Sequence, residues 1–289
     1  MSSADGGFDL PADADGEPYS GAESLCESWG AFSAPERVAN VNTDSSDFGP
    51  HESADGLSLL FVSITGYPDF FIATRSSIEE DFGDPEPIVE LNTDDEEEGL
   101  TMTADGLVLI FSRRQASGSY SAIYQTTRDN TDEPFAGLTL LFEDTQGEIP
   151  TIWGHGGPAI SPDGLEIYFH ASLESYYLFT ARRGGRDDAF GEPKQLTALH
   201  VDGEAEPFVS SDGLELYYEA DNEIYRSVRD DVSDPFLSGS LVSEVNEPTS
   251  HDNDPALSND GTRLYFASDR DALSGWTDIF VATRSCMSR

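Results

Sequence analysis

Five positions that recur at intervals of roughly 50 residues could act together on a cation: Asp47, Glu97, His155, Glu204 and Asp252. Four are carboxylates and one is an imidazole. Brought to a common point, the set could hold one divalent ion; oxygen donors suit calcium, and the histidine admits zinc or manganese. Two positions later the same spacing reads Gly49, Gly99, Gly157, Glu206 and Asp254. Glu206 ("AEPF") and Asp254 ("NDPA") each stand just ahead of a proline that opens a strand. Two carboxyls facing one another are what acid/base cleavage of a glycosidic bond requires. Glu206, Asp254 and His155 are therefore the catalytic candidates. A different chemistry is offered by Trp153, Tyr67, Arg113, Arg114, Arg270 and Trp276. Flat rings stack on sugars, and guanidinium groups grip carboxylates or sulfates in bidentate fashion. Nucleophile elbows, H-E-x-x-H and phosphate loops are absent from the sequence.

The elements that must position these residues are repeated. Asp-Gly recurs in "SADGLSLLF", "TADGLVLIF", "SPDGLEIYF", "SSDGLELYY" and "SNDGTRLYF", at Asp55, Asp105, Asp163, Asp212 and Asp260. An "ATR"-like segment ends at Arg75, Arg128, Arg182, Arg229 and Arg284, and a phenylalanine follows at Phe82, Phe135, Phe190 and Phe236. Asp-Gly between apolar runs signals a hairpin, because glycine accepts positive φ and aspartate tolerates it. Each unit reads as four short strands, a to d, with the Asp-Gly turn between a and b. Strand b is apolar on both faces, as at Leu216, Tyr217 and Tyr218. It therefore needs a neighbouring sheet on each side. Five such units arranged radially make an all-β, five-bladed β-propeller with four-stranded blades. "SPDGLEIYF" and "SNDGTRLYFASDR" resemble the TolB-like (WD40-like) propeller repeats, and the resemblance covers roughly residues 33–285. It implies the propeller fold.

Only four d strands follow an a-b-c set internally. The fifth lies at the other end of the chain: "FSAPERVANVN" matches "FGDPEPIVELN" in register, with Phe32 in the Phe82 position. The N-terminal strand should thus complete the last blade and close the ring. Counted in the same frame, Cys286 falls beside Cys26, so the two cysteines are expected to form a disulfide that clasps the circle. Residues 1–30 read as an acidic tail, largely disordered up to Cys26, and 31–289 as the propeller.

The a–b turns and c–d loops belong to one face, the bottom, and the d–a and b–c loops to the other, the top. The repeated aspartates and arginines suit structural work at the bottom. The irregular top face is where ligands are expected. His51, His155, His200 and His251 fall in or beside d–a loops, and His170 begins a b–c loop.

Composition narrows the options. There are 56 acidic residues against 15 basic ones, a net charge of −41, and Lys194 is the only lysine. Such a surface repels nucleic acid and anionic membranes, and suits cations or a salty medium. No apolar run approaches the ~20 residues of a membrane-spanning helix. The opening "MSSADGGFDL" has neither a charged nor an apolar signal region, so no targeting segment is visible. A disulfide implies an oxidising, extracytoplasmic compartment: periplasm, cell surface or medium. The reading is a monomeric propeller that binds a carbohydrate or envelope glycan on its top face. One alternative is a carbohydrate-active enzyme, a glycoside hydrolase or polysaccharide lyase using top-face histidine and carboxylates. The other is a scaffold for a protein partner.

Overall fold

The structure, a computed structural model, describes residues 26–114, 121–142, 153–172, 175–199, 203–271 and 276–287. The N-terminal tail therefore lies mostly outside the described residues. A short strand, β1 (Glu36–Arg37), is followed by β2 (Asp47–Glu52), β3 (Ser58–Ile64), β4 (Pro68–Thr74) and β5 (Glu86–Pro87), which form the first blade. The second blade is β6 (Glu96–Met102), β7 (Val108–Arg114), β8 (Ser121–Thr127) and β9 (Ala136–Phe142). The third is β10 (Trp153–Ile160), β11 (Glu166–Ser172), β12 (Tyr176–Arg182) and β13 (Lys194–Gln195). The fourth is β14 (Ala205–Val209), β15 (Glu215–Ala220), β16 (Glu223–Val228) and β17 (Ser240–Leu241). The fifth takes β18 (Asp252–Leu257), β19 (Arg263–Ser268) and β20 (Asp278–Thr283), and borrows β1 as its outer strand. All blades are antiparallel, and the first strand of each touches its counterparts around the axis. This is the five-bladed propeller expected from the repeats.

The two apolar faces of strand b find their partners between blades. Phe61 packs with Tyr265 and Ile279 of the fifth blade, while Leu60 and Val62 on its other face pack with Leu109 and Phe111 of the second. At every a–b turn glycine takes positive φ, from 70° at Gly106 and Gly213 to 76° at Gly164. The adjoining aspartate receives the turn's free donors: Asp55 accepts from the Ser53 hydroxyl at 2.7 Å and the Leu57 amide at 3.0 Å. Those hydrogen bonds hold the Asp55 carboxyl below its ordinary range.

The repeated arginine ties the turn to the c–d loop. Arg75, Arg128, Arg229 and Arg284 each donate through Nε to the carbonyl of the turn glycine, at 2.7 Å. Three of these guanidinium groups lie over Phe82, Phe135 and Phe236, 4.2–4.4 Å from the ring centres. In the third blade the arginine that does this is Arg183, not the expected Arg182. Arg183 donates to Gly164 at 2.8 Å and lies 4.4 Å from the Phe190 ring, whereas Arg182 pairs at the surface with Glu166. The "ARR" of this blade offers two arginines, and one-residue alternation gives the inward direction to the second. Arg183→Ala should cost about 2–3 kcal/mol in urea unfolding, through the lost stacking and buried hydrogen bonds. Arg182→Ala should cost less than about 1 kcal/mol, as exposed ion pairs do.

Ring closure follows the sequence register. β1 pairs with β20 through Glu36–Val281 and Arg37–Phe280. Trp29 bridges to Cys286, and the Arg284 guanidinium sits 4.1 Å from the Trp29 ring and 5.0 Å from Phe32. Cys26 and Cys286 are disulfide-bonded, with 5.7 Å between their Cα atoms and 260 residues between them in sequence.

Candidate functional site

The innermost strand of every blade breaks register at one corresponding point: between Phe48 and His51, Glu98 and Leu100, Gly156 and Ala159, Ala205 and Phe208, and Asn253 and Ala256. Each break is a bulge whose extra residue adopts the left-handed conformation. The φ values are 59° at Gly49, 48° at Gly99, 51° at Gly157, 45° at Glu206 and 51° at Asp254. These residues and the ones that follow them line a single cavity on the axis. The throat is tight. A Cβ on Gly157 would stand 2.3 Å from Glu206 Oε2, and one on Gly99 would stand 3.1 Å from Gly157 Cα. Glu206 and Asp254 lie inside β14 and β18 rather than ahead of them, because the bulge lets the strand pass through the column.

Glu206 and Asp254 share a hydrogen bond across the gap between their strands. Both are half-buried, and the Glu206 side chain keeps 24% of its surface exposed. Burial, and then the charges of Asp254, Glu219 and Glu98, hold the Glu206 carboxyl well above its ordinary range. Burial also raises Asp254, against the opposing effect of the hydrogen bond from Glu206. At neutral pH the pair therefore retains a proton between its two carboxyls. Burial and then Asp254 push Glu219 up to about 7, and burial raises Glu98 despite the neighbouring Arg114.

His170 completes the cluster. Its Nδ1 lies 3.4 Å from Glu206 Oε1 and 3.4 Å from the Glu206 amide. The ring occupies space left by Gly156, where a Cβ would come within 2.7 Å of it, and meets Tyr176 edge-on at 5.2 Å. Tyr176 is exposed on the top face. The cluster thus offers hydroxyl and carboxylate oxygens and an imidazole at the bottom of an open mouth.

The elevated Glu219 value sets a sign for stability. Unfolding releases this carboxyl to its ordinary range, so the folded state binds more protons between pH 5 and 7. Stability should fall as pH rises through about 7, and Glu219→Gln should flatten that fall by up to about 3 kcal/mol. Urea midpoints at pH 5 and pH 8 provide the measurement.

The four carboxylates among the proposed cation ligands are each engaged by protein groups. Asp47 accepts from the Thr43 amide at 2.6 Å and its hydroxyl at 3.0 Å. Glu97 accepts from the Thr93 hydroxyl at 2.7 Å and from Arg113 Nε at 2.8 Å. Asp252 accepts from the Glu247 amide at 2.7 Å and from Arg270 at 2.6 Å. Glu204 accepts from the Leu178 amide at 3.4 Å. These buried carboxylates tie the d–a loops to the strands. Among the described residues, no three histidines, cysteines or acids come together in a metal-binding group. The backbones of Trp153 and His155 pair opposite Ser172 and Ala171 in β10, while their side chains lie outside the described residues.

Arg113 and Arg270 are likewise taken up by Glu97 and Asp252, and by the carbonyls of Leu91 and Val245. Arg114 pairs with Glu96 and Glu98. Tyr67 and Trp276 are exposed on the top face, in the b–c loops of the first and last blades. His51 is inside β2, buried, with its ring against Phe208 at 5.8 Å. Burial lowers its pKa to about 4. His170 sits within β11 rather than in a loop, since that strand runs on to Ser172. Glu98, Glu219, His170 and Tyr176 were not singled out as site residues by the sequence. Glu98 is hidden in the acidic run "DDEEEG", and Glu219 stands where strand b ends.

No family model matches the chain, and no curated protein matches it in sequence. Solved structures match it in fold. A putative TolB from Agrobacterium tumefaciens superposes with a TM-score of 0.50 at 18% identity, over 83% of this chain and 78% of that one. The fold is that of a TolB-like β-propeller. Against the TolB of Acinetobacter baumannii, this chain aligns with a TM-score of 0.53 at 18% identity; 83% of it is covered, but only 55% of that protein. A GH43 endo-arabinanase from Bacillus licheniformis aligns with a TM-score of 0.59 at 13% identity, over 84% of this chain and 95% of that one. At these identities the likeness is one of fold.

Proposed function

We propose that this protein is an extracytoplasmic carbohydrate-binding propeller, which holds a neutral glycan over the throat of its top face without cleaving it. One observation carries the reading. Where three blades use glycine, the last two place Glu206 and Asp254 in the left-handed conformation, with their carboxyls joined on the axis. A non-glycine residue there costs roughly 1–2 kcal/mol, and such strain is typically retained at functional sites. The protonated pair can both donate to and accept from sugar hydroxyls. Tyr176, at the start of β12, and Tyr67 and Trp276, in two b–c loops, supply exposed aromatic surface on the same face. The ligand is neutral because the throat is lined with acids and the nearby arginines are already paired.

Binding without turnover is favoured over hydrolysis by the spacing of the pair. Glycosidases hold their two carboxyls about 5–5.5 Å or 6.5–9.5 Å apart, whereas Glu206 and Asp254 are in hydrogen-bond contact. That an arabinanase shares the fold supports a carbohydrate as the ligand class. The disulfide supports the compartment. Titration of neutral oligosaccharides should show binding to the native protein and at least about tenfold weaker binding to Tyr176→Ala, the scale of one lost stacking contact. Equal affinities would move the ligand away from this mouth.

A further inference from the structure

Four of the five outer strands are only two residues long, and three of them carry a charge: Glu36–Arg37, Glu86–Pro87 and Lys194–Gln195, beside Ser240–Leu241. Short length, charge and proline are devices that keep a sheet edge from pairing. β9 has none of them. It runs for seven residues, Ala136–Phe142, without a charge or a proline, in a chain of net charge −41. Its inner edge pairs with β8, and no strand among the described residues pairs with its outer edge. Register breaks toward both ends leave Leu138–Leu140 as a regular run opposite Thr126, Gln125 and Tyr124. Leu138 and Leu140, which share a face, are 51% and 43% exposed.

We propose that the outer edge of β9 receives an extended, basic peptide segment of a partner protein, which adds a fifth strand to the second blade. Strand addition satisfies the edge amides and carbonyls that no described strand pairs, and alternate apolar side chains of the partner cover Leu138 and Leu140. Charge selects the occupant. Asp132 and Glu133 precede the strand and are exposed. Basic residues at the end of an incoming strand that meets them would be attracted, whereas a second copy of this chain, of net charge −41, would bring like charge.

The probe is a labelled synthetic peptide of alternating threonine and leucine with an arginine at each end. The control has the same ends but a central proline, which cannot pair. Fluorescence anisotropy at about 0.15 M salt, where the screening length is about 8 Å, should show the control at least about tenfold weaker. Leu138→Asp/Leu140→Asp, at two exposed positions, should weaken the pairing peptide similarly even though it adds negative charge. Equal binding of the two peptides, or undiminished binding to the Asp variant, would overturn the proposal, because attraction would then be charge alone. Dimerisation in sedimentation velocity that the Asp variant abolishes would also overturn it, by making a second copy the occupant.

Discussion

Glu206→Gly is expected to stabilise the protein by about 1–2 kcal/mol while removing ligand binding at the throat. Three blades already carry glycine at this point of the bulge, so the backbone is known to accept it. The substitution relieves a left-handed glutamate at φ 45° and removes one buried carboxyl from a cluster of four. Against this stand the hydrogen bond to Asp254 and the extra freedom of glycine in the unfolded chain, worth about 0.4–1 kcal/mol. Asp254 loses the hydrogen bond that opposed the effect of burial, so it keeps its proton and remains a neutral group in the throat. The pH dependence should change in step: with Glu206 absent, the fall in stability from pH 5 to pH 8 becomes shallower. Urea unfolding of the variant and the native protein at pH 7 tests the sign. A loss of more than about 1 kcal/mol would mean that Glu206 is a structural residue.

The second large effect belongs to the clasp. Reducing the Cys26–Cys286 bond, or replacing either cysteine by serine, should lower stability by about 3–5 kcal/mol on the chain-entropy account of so long a loop. The closing strand β1 contributes only two residue pairs to β20, and the segment from Cys26 to Phe32 is held to the C-terminal end by the disulfide and two backbone hydrogen bonds, Gly30 to Ser285 and Met287 to Ser28, each at 2.9 Å. With it goes the stacking of Arg284 on Trp29. Denaturant midpoints with and without reductant measure the cost, and hydrogen exchange should show the loss first in β1 and β20. An unchanged midpoint in reductant would assign closure to packing alone.

Most of this architecture is legible in the sequence because a repeat supplies several copies of each clue. Asp-Gly fixes the a–b turn, the doubly apolar strand b demands a neighbour on each side, and the displaced d strand predicts closure and the disulfide. The column containing Glu206 and Asp254 is visible too, as two acids among three glycines. What the sequence does not display is that this column is left-handed, because the bulge arises from packing of five strands around an axis. Nor does it show that His170 and Glu219 reach the same point from strands b. The acid column two positions earlier offers as many donors, yet Asp47, Glu97 and Asp252 are held in the loops by threonines and arginines. Arg183 and β9 escape for a related reason: each is the one departure from a repeat, and a repeat is read through its consensus.

Saturation-transfer NMR on a panel of neutral oligosaccharides, run with the native protein and with Glu206→Gly and followed for new anomeric signals, tests the central claim most directly. The account predicts transfer to at least one oligosaccharide from the native protein, none from the variant, and no new anomeric signal from either. Transfer that survives in Glu206→Gly would place the ligand elsewhere, and new anomeric signals that require Glu206 would make the throat an active site.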